Sequence, residues 1–195
     1  MAIENFPDLM LANVKVSSEF FNWKHTSQNK STLMRSRDLQ QFKVEFSIVC
    51  KNAMDAQQLR GFIASIEGDG LPFYMKLKKD TVSLGGLYGS PVVTTAEGAG
   101  VSNINVSGFS GSFLSGQLIQ FLNDPKVYTL TANTKNNGVL KVKPSLRKPV
   151  DLHTPVVFGD EVKFKLRLEK GQYDFNYKNG EVLIVKFTAL EDLGG

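Results

Sequence analysis

The chain has few side chains suited to proton transfer, nucleophilic attack or metal ligation: two histidines, one cysteine and 19 carboxylates in 195 residues. His25 and His153 lie far apart, and neither has a second His, Cys or paired carboxylate at ligand spacing. Each reads as a solvent-facing or hydrogen-bonded structural residue. Cys50 closes the alternating run QFKVEFSIVC, on the same face as Phe42, Val44, Phe46 and Ile48. A lone thiol in that setting is a small buried hydrophobe, and a single cysteine excludes an internal disulfide. The acids of GDG (68–70) and GDE (159–161) sit beside glycines, which is turn composition. Asp69, Asp80, Asp160 and Glu161 would make a glycosidase or lyase pair only if folding brought two of them into one cleft. The glycines of 85–111 lack the G-x-x-x-x-G-K-[ST] spacing and a following helix, so no phosphate cradle is read. No catalytic, cofactor or metal residue is assigned, and a non-enzymatic role is expected.

Residues suited to binding are more numerous. Basic side chains gather at Arg35/Arg37, Lys76/Lys78/Lys79 and Arg147/Lys148, yet 23 Lys and Arg against 19 Asp and Glu leave a net charge of only +4. With Tyr88, Phe109, Phe113, Phe121 and Tyr128 they could line a single-strand groove, or they could be solvated strand faces. The segment SSEFFNWKHT crowds Phe20, Phe21 and Trp23 among polar residues, and the poorly patterned SQNKSTLMRSRD follows it. Those rings either pack in a core or anchor a subunit contact with Arg35 and Arg37, since aromatics beside arginine are the usual interface anchors.

Most of the sequence that must position these groups alternates as strands do. Phe42 to Cys50 is one run. EVKFKLRLE (161–169) is another, with Val162, Phe164, Leu166 and Leu168 on one face and Lys163, Lys165 and Arg167 on the other. QYDFNY (172–177) and EVLIVKF (181–187) flank Lys178-Asn179-Gly180, a hairpin signature. One helix is expected over 53–67, with Asn52 as N-cap, Asp55 in the first turn, Gly68 as stop, and an apolar stripe of Met54, Leu59, Phe62, Ile63 and Ile66. From residue 80 the texture turns to Gly, Ser and Thr with short β-branched runs. Strands are expected at 101–107, 117–122, 126–132, 138–143 and 154–158, in a partly open barrel of the OB type. The domain expectation is therefore 1–85 plus 158–195 as a β-rich, sandwich-like domain, with a small barrel inserted at 86–157. The apolar content of 42% and charge of 22% fit an ordinary globular chain. MAIENFPDLM has no basic segment followed by an apolar run, and no stretch approaches the ~18 apolar residues of a membrane span. A soluble chain kept in a reducing compartment is expected.

The order of motifs resembles the distal tail proteins of long-tailed, non-contractile bacteriophages. The resemblance rests on S-G-x-L-I-x-F (Ser115 to Phe121), D-P-K-V-Y-x-L (Asp124 to Leu130), the Asn137-Gly138 turn, K-V-K-P-S-L (Lys141 to Leu146) and a closing strand at Pro155–Phe158. Its motif residues here are Gly116, Leu118, Phe121, Pro125, Val127, Tyr128, Pro144 and Leu146. In that family these belong to an OB-like domain inserted in a β-rich ring-forming domain. The resemblance implies a virion subunit, made in the host cytoplasm, that forms a hexameric ring between the tail tube protein and the baseplate hub or tip protein. It also implies attachment of fibres or receptor-binding proteins. Phe20, Phe21, Trp23, Arg35 and Arg37 are the candidate subunit interface, and the polar connection 24–40 is expected to order only on assembly. The alternatives are an OB-type single-stranded nucleic-acid binder and a β-sandwich component that binds or degrades carbohydrate.

Overall fold

The computed structural model describes residues 3–175 and 183–194. In chain order the elements are β1 (Glu4–Asn5), β2 (Met10–Thr26), β3 (Thr32–Cys50), α1 (Ala53–Ser65), β4 (Phe73–Met75) and the single turn α2 (Lys78–Thr81). Then follow β5 (Tyr88–Val93), β6 (Asn103–Ser110), β7 (Ser112–Phe113), β8 (Leu118–Phe121), β9 (Val127–Leu130), β10 (Thr134–Lys135), β11 (Gly138–Lys143) and β12 (Val156–Phe158). A 3-10 turn (Gly159–Glu161) leads to β13 (Phe164–Leu168), and β14 (Leu183–Glu191) closes the fold. The protein is mainly β, pairing a sandwich-like sheet unit with a small, nearly closed barrel. No helix among the described residues is long and apolar enough to cross a membrane.

Two compact units divide the chain. The first runs to Glu19, then covers Gln41–Met75 and continues from Phe164; the second holds Phe20–Gln40 and Lys76–Lys163. In the first unit the sheet order is β1-β4-β13-β14-β3-β2. The even-numbered residues Phe42, Val44, Phe46, Ile48 and Cys50 are buried, as their alternation predicts. Helix α1 lies on this face and supplies part of the layer that a second sheet would give. Phe62 meets Phe73 edge-on at 5.3 Å, and Phe6 meets Phe62 at 5.1 Å and Phe46 at 5.7 Å. Such edge-on pairs add to the apolar area that each ring buries. Asn52 caps the helix by accepting from the Asp55 N–H at 2.9 Å. The buried stripe is Ala56, Leu59, Phe62 and Ile66; Met54, in the first turn, is 75% exposed and does not belong to it.

The second strand signature also needs correction. Val162, Phe164, Leu166 and Leu168 are buried as expected, but Lys165 on the other face is buried too. Its ammonium pairs with Asp192 at 3.0 Å and donates to the Gly194 carbonyl at 2.6 Å, which together satisfy the charge. Residues 172–175 are not a strand. They hold to the unit by side chains instead: the Tyr173 ring lies against Phe187 at 4.5 Å, tilted by 33°, and Phe175 lies under Arg60 at 4.8 Å. The expected Asn179-Gly180 turn lies outside the described residues.

In the second unit the barrel order is β12-β8-β9-β11-β6-β5, all antiparallel, with a bridge between Val92 and Pro155 bringing β5 to β12. The Val93 N–H donates to Thr154 and the His153 N–H donates to Val93, at 3.0 and 2.8 Å, so few edge groups stay open. The barrel has six strands because β5 joins the five expected. Its interior holds Ile104, Val106, Phe109, Phe113, Ile119, Phe121, Tyr128, Leu130, Leu140 and Val142 among others. The residues between β4 and β13 leave and return at neighbouring points, because Met75 and Phe164 are direct partners in the first unit's sheet.

Candidate functional site

The segment expected as a polar connection at 24–40 is a β-ribbon. β2 and β3 are neighbours, and the connection between them is only residues 27–31. The Ser27 N–H donates to the Ser31 carbonyl and the Lys30 N–H to Ser27, each at 2.9 Å, with Lys30 at φ +63° in the turn. Ladder bonds satisfy the backbone there without help from burial, so the weak apolar pattern does not prevent strand formation.

Across the tip, the Thr26 and Thr32 hydroxyls lie 3.4 Å apart, which puts these two residues on one face of the ribbon. Alternation then places Phe20, Lys24 and Met34 on that face, and Phe21, Trp23, His25, Leu33, Arg35 and Arg37 on the other. Four of the five candidate interface residues are thus brought together, while Phe20 points away. Trp23 and His25 stack at 5.6 Å with rings 9° from parallel. None of these large side chains is core: Phe20 is 58% exposed, Trp23 43% and Met34 63%. The four cations of residues 20–37, Lys24, Lys30, Arg35 and Arg37, form no ion pair among the described residues.

The ribbon is tied to the barrel at Asp38, a residue at φ +51°. Its carboxylate accepts from the Ser145 N–H at 2.9 Å, from the Ser145 hydroxyl, and from Lys143 Nζ at 3.0 Å. Since the single hydroxyl proton of Ser145 is given to Asp38, Ser102, 2.9 Å away, donates to Ser145. Burial works to raise the Asp38 pKa, but the bonds from Ser145 and Lys143 outweigh it and hold the carboxyl below its usual value.

The motif residues build the barrel itself. Gly116 turns the chain at φ +87°, and its N–H donates to the Leu130 carbonyl at 2.7 Å. Phe121, Tyr128 and Leu146 fill the interior, and Pro144 follows the last residue of β11. Leu118 and Val127 are buried on the outer side of their strands. Strand β8 is covered on both faces, since α2 packs against it and Gln117 donates to Ser83 at 3.2 Å. Gln120 also donates to the carbonyls of Pro125 and Lys163, at 2.8 and 3.1 Å.

The turn Asn-Asp-Pro-Lys hides a polar cluster that its composition gave no reason to expect. Asp124 and Lys126 are almost wholly buried. The Asp124 carboxylate accepts from the Tyr128 hydroxyl at 2.7 Å and from the Lys126 N–H at 3.2 Å; the Tyr128 oxygen in turn accepts from the Arg147 N–H at 3.0 Å. Burial, reinforced by the Asp124 charge, pushes the Tyr128 phenol well above its ordinary range. It therefore stays a neutral donor.

The remaining candidates stay apart from any cleft. His25, His153, Asp69, Asp80, Asp160 and Glu161 are all exposed, and Lys76 holds Glu161 at 3.0 Å, which lowers the Glu161 pKa. Burial pushes the Cys50 thiol up, as an inert core sulfur requires. Phe109, Phe113, Phe121 and Tyr128 are interior, so the barrel surface offers no stacking groove from them. Among the described residues no three His, Cys, Asp or Glu gather as metal ligands. No protein-family model and no curated protein matches the chain.

Proposed function

We propose that this protein is a structural subunit of a phage tail tip: a distal tail protein whose six copies form a ring joining the tail tube to the baseplate hub or tip. The observation that carries this reading is the barrel. The strands that bear the distal-tail motifs, from Ser115 to Phe158, fold as one small barrel. That barrel is inserted in a sheet unit at a single pair of partnered residues, Met75 and Phe164. The sheet unit carries the ring in this reading, and the barrel is the outward attachment point for fibres or receptor-binding proteins.

The ribbon supplies the second support. Large apolar side chains stand exposed on both of its faces, and β2 lies at the edge of the first sheet. An exposed strand edge beside the apolar face of Phe20 and Met34 is a natural joint, and a head-to-tail joint closes into a ring when its rotation divides the circle. Native mass spectrometry and negative-stain imaging, on the chain alone and co-expressed with its neighbouring tail protein, test the reading. A six-copy ring is expected, and a strict monomer at high concentration in both preparations overturns it.

A further inference from the structure

The charge of this chain is unevenly placed. Residues 20–37 hold Lys24, Lys30, Arg35 and Arg37 and no Asp or Glu. Setting those four aside leaves 19 basic residues against 19 acidic ones, so residues 20–37, which lie between Glu19 and Asp38, carry a charge equal to the whole excess of +4. The nearest acid on the β3 side, Asp38, is already occupied by Lys143 and Ser145. A second copy of the ribbon would meet this one with like charge, which disfavours ribbon-to-ribbon pairing and calls for an anionic partner.

The chemistry of one face narrows that partner. Phe21, Trp23 and His25 run along one strand at every second residue, with Arg35 and Arg37 beside them on the neighbouring strand. Trp23 and His25 already form a near-parallel stack, to which a further flat ring can add. Exposed π-faces for bases and guanidinium groups for phosphates are the two components of single-strand recognition. We propose that this face of the ribbon binds single-stranded nucleic acid, stacking bases on Phe21 and Trp23 while Arg35, Arg37 and the tip lysines neutralise phosphates. The site lies on the ribbon and not in the barrel, and it does not depend on the ring assignment.

The test uses the full chain and a fluorescently labelled oligo-dT strand. Binding is expected at low salt, with quenching of Trp23, the only tryptophan in the chain. With three to four phosphates neutralised, log K should fall against log salt with a slope of about −2 to −3. W23A should weaken binding about five- to 150-fold, the range expected for losing one stacked base. R35A/R37A should flatten the salt slope by about 1.4. K78A/K79A, which removes the same charge from the exposed α2 turn, should leave affinity unchanged.

Absence of binding at low salt overturns the proposal, as does an equal loss in K78A/K79A, which would reduce the effect to net charge. Equal affinity for duplex DNA overturns it by removing the part assigned to stacking. Equal affinity for polyglutamate overturns it in favour of an acidic protein partner.

Discussion

At Tyr128 a single hydroxyl links two partners across a buried cluster. It donates to Asp124 and accepts from the Arg147 backbone, so Y128F leaves both without that partner. A hydrogen bond to a charged group is worth about 1.5–3 kcal/mol, and urea unfolding should show a loss of that size in Y128F. Asp38 makes a prediction of the opposite kind, in pH. Its folded pKa lies below the reference value of 3.8, so its ionised form contributes stability that is complete above the unfolded pKa. That contribution is lost as pH falls through the depressed folded value. Urea midpoints of the wild type and D38N should therefore differ by a constant amount above about pH 5 and converge in more acidic solution. Neither residue declared itself in the sequence. Asn-Asp-Pro-Lys has the composition of a wet turn, yet Asp124 and Lys126 are buried, and Tyr128 and Asn123 bond to the backbones of Arg147 and Pro149, contacts across some twenty residues that no local pattern records.

The elements themselves were more legible where burial is one-sided. Phe42 to Cys50 alternates because one face of β3 is core, and Asn52 announces α1 because the first helical N–H groups need an acceptor. Legibility fails in the two places where burial is not one-sided. Strand β8 is buried on both faces, so Leu118 could pass for interior although Ile119 holds that place. The ribbon is exposed on both faces, so residues 20–37 show no apolar period at all and read as a connection. Its outer half is held by the Asp38 clasp, and Trp23 reports on it. D38A should lower the fluorescence anisotropy of Trp23 and raise amide exchange across 20–40, while strand β9 in the barrel keeps its protection. Unchanged anisotropy would show that the ribbon needs no clasp.

For the whole molecule, two-unit construction is the feature with the widest reach. Composition marks the insert through its change to Gly, Ser and Thr, yet the turn of chain that the sequence places at Gly85 lies ten residues beyond the last sheet partner, Met75. Gly85 belongs to the barrel instead. A Cβ there would stand 1.8 Å from the Ser112 carbonyl oxygen, so the two backbones approach as only glycine permits. Because Met75 and Phe164 are antiparallel partners, a two-residue Asn-Gly turn is long enough to replace residues 76–163. The shortened chain should keep a cooperative thermal transition by circular dichroism. Loss of that transition would mean that the sheet unit depends on its insert.

The same pairing sets an order in time. Strand β4 leaves the ribosome long before β13, and closing so long a stretch of loose chain costs entropy that a compact insert has already spent. The barrel, whose six strands come from one continuous stretch, can finish first and deliver β13 to β4 as a short tether. The sheet that begins the chain is then the last part of the protein to be completed.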